Sequence, residues 1–127
     1  MTSPLFVLGD ADQVRRRVDS LLLANRLEDL QALSSTLTNA IQRLGVEAQN
    51  RMKAEIVFCG GDEILFLVEP IKFSDNLIRS LMDEFLSVTG VTISFGVGRS
   101  ADEAYLNLAR AKASGAGSFV SIGASAL

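Results

Sequence analysis

A chain of 127 residues, 48% apolar and 21% charged, is the size of one domain and carries enough hydrocarbon to bury a core, which excludes disorder. It has no histidine, so Ser-His-Asp and Cys-His triads, imidazole bases and histidine-ligated zinc or haem are excluded, and any metal must sit on oxygen. Twelve basic against fifteen acidic residues give a net charge of −3, which argues against duplex DNA or an anionic membrane as partner.

The single cysteine, Cys59, forbids an internal disulfide, and the opening MTSPLFVLGDAD lacks a basic segment followed by a long apolar one. No apolar run approaches the ~20 residues that cross a bilayer. A cytoplasmic protein is expected.

Leu5, Phe6, Val7 and Leu8 form a buried first strand stopped by Gly9-Asp10. From Asp12 a helix follows through Val14, Val18, Leu21 and Leu22, with carboxylates at its start where the dipole favours them. Leu27, Leu30, Leu33, Leu37, Ile41 and Leu44 predict a second helix, with Gly45 as its C-terminal cap. Residues 54–59 and 64–68 read as an antiparallel hairpin around the four-residue loop Gly60-Gly61-Asp62-Glu63. Ser74 opens a third helix closed by Gly90, and Val91, Ile93, Phe95 and Val97 alternate as a fourth strand. Ser100 with Glu103 is a capping box for a last helix ended by Gly115, before a short strand over residues 119–122.

This order predicts one α+β domain over residues 1–127, a mostly antiparallel sheet with helices packed on it on the ferredoxin-like plan. In that plan the first strand and the hairpin lie side by side. Asp10, Asp12, Asp62 and Glu63 then converge, with no basic residue in either segment. At an effective dielectric near 20, two like charges ~4 Å apart repel by about 4 kcal/mol, so such a cluster protonates, spreads or binds cations. Oxygen ligands without imidazole or thiolate select Mg²⁺ or Mn²⁺, completed by the phosphates of a nucleoside triphosphate.

Gly60 and Gly61 give a ligand room to approach the main chain, the helix after Gly9-Asp10 can aim free amides at phosphate, and Lys112 offers a mobile charge. Taken singly, each has a plainer reading. Gly60-Gly61 is an ordinary turn, Asp10 and Asp12 a helix N-cap pair, Lys112 a solvated helix end, Arg15 to Arg17 an exposed face and Cys59 a small core residue. Their joint placement in one topology is what points to a site.

The runs Leu8-Gly9-Asp10-Ala11-Asp12, Gly60-Gly61-Asp62-Glu63-Ile64-Leu65-Phe66, Ser94-Phe95-Gly96-Val97-Gly98 and Ala109-Arg110-Ala111-Lys112-Ala113-Ser114-Gly115, in this order through the whole chain, resemble the palm domain of the minimal CRISPR polymerase group. Its wider relatives are the polymerase subunit of type III CRISPR effectors, the GGDEF diguanylate cyclases and the class III nucleotidyl cyclases. The resemblance implies that Asp10 and Asp62 hold two Mg²⁺ (or Mn²⁺) ions, with the Ala11 carbonyl, Glu63 and Asp12 as further ligands. It also implies that Lys112 contacts the triphosphate, and that Ser34 lies near the nucleotide with Gly9, Gly60 and Gly61. Val18 stands where guanine-reading GGDEF enzymes carry asparagine, and Ala54 where their inhibitory motif, opened here by Arg51, carries aspartate. Together with Ile64 in the fifth GGDEF position, this favours ATP and the CRISPR-type relatives.

The reading is a metal-dependent nucleotidyltransferase that joins ATP into a cyclic oligonucleotide, most simply a cyclic dinucleotide, as an antiviral signal read by a separate effector protein. A homodimer with facing sites would hold acceptor opposite donor. The alternatives are a cyclase making a mononucleotide, and a palm domain that binds nucleotide or a partner without turnover.

Overall fold

The computed structural model describes residues 3–122; residues 1–2 and 123–127 of the expected domain lie outside that range. Strand β1 (Leu5–Ala11) leads into α1 (Val14–Leu23) and the long α2 (Leu27–Met52), followed by the hairpin β2 (Glu55–Gly60) and β3 (Glu63–Val68). A 3-10 turn at Pro70–Lys72 precedes α3 (Asp75–Thr89), β4 (Ile93–Gly98), α4 (Ala101–Ser114) and β5 (Phe119–Val120). The sheet runs β2-β3-β1-β4-β5, antiparallel except between β4 and β5. This is the α+β architecture predicted, with β1 between the hairpin and β4.

One face of the sheet packs on α2 and α3. Leu37, Ile41, Leu44, Ala48 and Met52, at helical spacing, are buried in one cluster with Val7, Phe66, Phe95 and the Ile78, Leu81 and Phe85 stripe of α3. At its centre Phe66 and Phe95 meet edge to face, with ring centroids 6.5 Å apart. The other face carries α4, which lies along β4 and reaches β1.

That approach depends on β4. Alternation sends Ile93, Phe95 and Val97 into the core and turns Ser94, Gly96 and Gly98 toward α4. A Cβ on Gly96 would strike the Leu108 amide and the Ala104 carbonyl, and one on Gly98 the Ala104 amide. The Gly-x-Gly pair thus lets helix and strand backbones touch, and it carries α4 across the end of β1.

Several boundaries differ from the sequence reading. Gly45 does not end α2: the apolar stripe continues through Ala48 to Met52, Gly45 is buried within the helix, and Lys53 makes the left-handed end at φ 55°. Helix α1 begins at Val14 rather than Asp12, behind Gln13 at φ 58°, and has no acidic residue in its first turn. The hairpin loop is two residues, not four, because Gly60 pairs with Glu63. Gly61 then needs φ 59°, which glycine supplies without strain. Strand β4 starts at Ile93 and β5 is only Phe119–Val120. The Ser74 cap, the Gly90 and Gly115 ends and the Ser100 cap stand as read.

Candidate active site

Strand register assembles the acids. In the β1–β3 pairing Asp10 lies opposite Glu63, and the Ala11 amide donates to the Asp62 carbonyl at 3.0 Å, tying the hairpin turn to the end of β1. Oxygens of Asp10, Asp62 and Glu63 consequently fall within 4.8 Å of one another. Asp10 and Asp62 are half-buried and Glu63 is exposed, so the cluster opens to solvent. Three hard oxygen donors at this spacing suit a magnesium-like ion that keeps part of its water shell.

The expected fourth acid is elsewhere. Asp12 follows the strand end, and its side chain is only 5% exposed. It accepts from Thr92 Oγ1 at 2.8 Å, Ser94 Oγ at 2.9 Å, the Gly117 amide at 2.7 Å and Lys112 Nζ at 2.9 Å. With its lone pairs taken by these donors, Asp12 stands outside the acidic cluster, so three acids converge rather than the expected four.

Neither acidic segment carries a basic residue, but one arrives from α4. Lys112 Nζ lies 3.1 Å from Asp10 Oδ2 and 2.9 Å from Asp12 Oδ1, with the carbonyls of Asp10 and Ala11 at 3.3 and 3.4 Å. The lysine is thus no solvated helix end but a counter-ion for β1, and the Ala11 carbonyl faces it.

Burial pushes the Asp10 carboxyl above its ordinary value; Lys112 opposes the rise, while Asp62 and Glu63 add to it. Burial would also raise Asp12, but the Gly117 amide, Lys112, Thr92 and Ser94 outweigh it and hold that carboxyl low. Desolvation works against the Lys112 ammonium, yet its bonds to Asp12 and Asp10 raise its pKa on balance.

The glycines separate in role. Gly60 and Gly61 leave open space where a Cβ would stand, so the turn beside Asp62 presents bare backbone. Gly9 is instead buried, and a Cβ there would collide with the Phe95 ring. Packing against Phe95 thus requires a glycine at this position.

Ser34 proves to be near the acids. A cavity of about 150 Å³ between α1 and α2 runs to the hairpin turn and is lined by Val14, Val18, Leu33, Ser34, Thr38 and Asp62 among others. Ser34 and Thr38 are the polar residues of its helical wall, and Val18 is one of its apolar residues. A larger cavity of about 200 Å³ lies between α2 and α3 and touches none of the acids of the cluster. Arg51 is folded onto Glu84 and Glu47 at 2.9 and 3.1 Å, with Ala54 buried. Arg17 is not merely an exposed arginine, since it donates to the Gly90 carbonyl at 3.2 Å.

Thr92, Gly117 and the role of Ser94 were not foreseen. The signal available was the small and polar face of β4, which alternation sets against its apolar one. Asn107 was also missed: it is fully buried and donates to the Val97 carbonyl at 2.7 Å while accepting from Arg110 at 2.9 Å.

The model of the minimal CRISPR polymerase domain matches residues 6–122. Among solved structures, a Csm1-Csm4 cassette in complex with cA4 is similar at a TM-score of 0.77 and 20% identity, over 94% of this chain and 21% of that one. The same kind of cassette in complex with AMPPNP aligns at 0.77 and 19% identity, over 91% and 20%. A diguanylate cyclase/phosphodiesterase from Caldicellulosiruptor saccharolyticus aligns at 0.58 and 12% identity, over 95% of this chain and 78% of that one. No curated protein matches the sequence. These likenesses show a shared palm fold, and the chain spans about a fifth of the length of the cassette chains it matches.

Proposed function

Because the chain belongs to the minimal CRISPR polymerase domain family, we propose that it is a metal-dependent nucleotidyltransferase that joins ATP into a cyclic oligonucleotide, most simply a cyclic dinucleotide serving as a signal in antiviral defence. The observation that carries this reading is the convergence of Asp10, Asp62 and Glu63 within 4.8 Å at the open end of β1 and β3.

In this reading Asp10, Asp62 and Glu63 hold Mg²⁺ or Mn²⁺, with the Ala11 carbonyl beside them. Divalent ions there supply a more acidic ribose hydroxyl and charge neutralisation on the leaving pyrophosphate. Lys112 gives its positive charge to the triphosphate, and the exposed backbone of Gly60-Gly61 lets phosphate oxygens come close. The residues of the chain position and neutralise the substrate; no side chain is assigned as general base.

The cavity beside Asp62 is the proposed base pocket. It has room for a planar heterocycle rather than a whole nucleotide, and its apolar walls with two hydroxyls suit adenine better than guanine. Val18 cannot accept or donate the hydrogen bonds by which an asparagine reads guanine. The AMPPNP complex of a similar cassette supports the same choice.

Joining two nucleotides needs an acceptor held against the donor, so the working unit proposed is a homodimer with facing sites. Half-buried Phe6, Leu8, Leu65 and Leu67 share the sheet face of Asp10 and Glu63, an apolar surface that a second copy could cover. A separate effector would read the product.

The test is incubation of purified protein with each NTP and Mg²⁺ or Mn²⁺, with products identified by mass spectrometry. A cyclic di- or oligoadenylate is the expected product. Cyclic AMP would replace this reading with a mononucleotide cyclase, and absence of any product with any nucleotide and either metal would leave a binding domain.

A further inference from the structure

We propose that Asp12 is a positioning residue, the buried anchor that holds the Lys112 ammonium at the mouth of the acidic cluster so that its charge is available to phosphate. The inference rests on the nucleotidyl-transfer reading above and assigns to Asp12 a role different from the metal-ligand role its motif implies.

The geometry is that of a hub. Asp12 Oδ2 takes the Gly117 amide at 2.7 Å and Thr92 Oγ1 at 2.8 Å, and Oδ1 takes Ser94 Oγ and Lys112 Nζ, both at 2.9 Å. A carboxylate has about four lone-pair directions. All are used, and the side chain is 5% exposed, so Asp12 has nothing left to offer an ion. The donors come from the strand entering the sheet at β4, from the loop between α4 and β5, and from α4 itself. Ser94 Oγ further accepts the Ser118 amide at 3.1 Å. The network is therefore braced from two sides, β4 and the α4–β5 loop, before Lys112 joins it.

Lys112 has three protons and four oxygens in reach, of which the Asp12 carboxylate is the nearest. The Asp10 carboxylate at 3.1 Å and the two carbonyls are weaker or shared contacts. An ammonium held this way can leave Asp10 while Asp12 keeps it in place. Lys112 thus balances charge in the free protein and stays poised when Asp10 is engaged elsewhere. Without Asp12, a long and flexible side chain would have to be ordered by the ligand itself, at a cost in affinity.

The experiment uses the full chain and two binding readouts without turnover: Mn²⁺ alone by electron paramagnetic resonance, and an ATP analogue with a non-cleavable α,β bridge by calorimetry. Asp12→Asn is expected to keep Mn²⁺ affinity within about two-fold of the unsubstituted protein, while Asp10→Asn loses about ten-fold or more. Asp12→Asn and Lys112→Met should each weaken the nucleotide analogue about ten-fold, and the double variant should bind no worse than Lys112→Met alone. Thr92→Val with Ser94→Ala strips two donors from Asp12 but keeps its charge, and it tests the same coupling if Asp12→Asn does not fold. It should weaken the analogue only when Lys112 is present.

Loss of Mn²⁺ binding in Asp12→Asn to the level of Asp10→Asn would make Asp12 a ligand and overturn the proposal. Additive losses in the double variant would overturn it as well. An unsubstituted protein that binds neither Mn²⁺ nor the analogue would instead refute the nucleotidyl-transfer reading, and the anchor with it.

Discussion

Asp10 and Glu63 face each other across the antiparallel β1–β3 pairing, so two carboxylates distant in sequence meet because a strand register fixes them there. Directly opposed like charges destabilise a sheet, and Asp62 on the adjoining turn adds a third. The fold bears this cost beside Lys112, which also pairs with Asp12. Like-charge repulsion in such an arrangement is what a bound cation would relieve.

Asp10→Asn is expected to raise the melting temperature of the cation-free protein and to abolish most of the stabilisation that Mg²⁺ or Mn²⁺ gives the unsubstituted chain. Folding raises the Asp10 pKa above its unfolded value of 3.8, so the stability contributed by its protonated form is present below that value. It is lost as pH rises through the folded value. Thermal melts in chelator across the acid range should show this loss in the unsubstituted chain and not in the variant.

Asp12 behaves oppositely. Its folded pKa is depressed below 3.8, so its contribution is present above the unfolded value and disappears as pH falls through the lower folded one. Replacement by Asn should cost about 1–3 kcal/mol near neutrality, the scale of hydrogen bonds to a buried charged group. In denaturant titrations the deficit should shrink toward pH 2; a deficit constant with pH would show that the charge is not what the network uses.

Gly96→Ala should destabilise by about 1–3 kcal/mol, because its Cβ has nowhere to go but the α4 backbone. Lifting α4 also moves Lys112, so nucleotide affinity should fall along with stability. Gly60→Ala, where a Cβ meets open space, should change stability by less than about 0.5 kcal/mol. Calorimetric unfolding of the pair checks both.

If two chains complete one reaction, product formation should rise more steeply than linearly with protein below the dimerisation constant. Initial rates over a dilution series, read beside sedimentation of the same samples, decide the matter. Rates strictly proportional to protein down to clearly monomeric samples would show that one chain suffices.

The sequence displayed its acids well and its scaffold unevenly. Asp10, Asp62 and Glu63 were legible because a strand-loop-strand pattern has few ways to arrange itself, and topology then forces the two turns together. Lys112 was legible as a charge but not as the partner of Asp10, since helix-to-sheet distance depends on Gly96 and Gly98 and no periodicity encodes it. Asp12 was misplaced because spacing within a motif does not reveal a side chain that turns away to donors from Thr92, Ser94 and Gly117. Gly45 misled because glycine at a plausible helix end is a common stop, and here the burial of Ala48 and Met52 beyond it outweighs that tendency.

The most direct measurement is calorimetric titration of ATP into the protein with and without Mn²⁺ or Mg²⁺, on the unsubstituted chain and on Asp62→Ala. Removing an acid from an exposed turn should leave the fold intact. ATP uptake should require the cation and drop by about 100-fold in the variant. Uptake independent of cation, or equal in Asp62→Ala, would contradict a metal centre built from Asp10, Asp62 and Glu63.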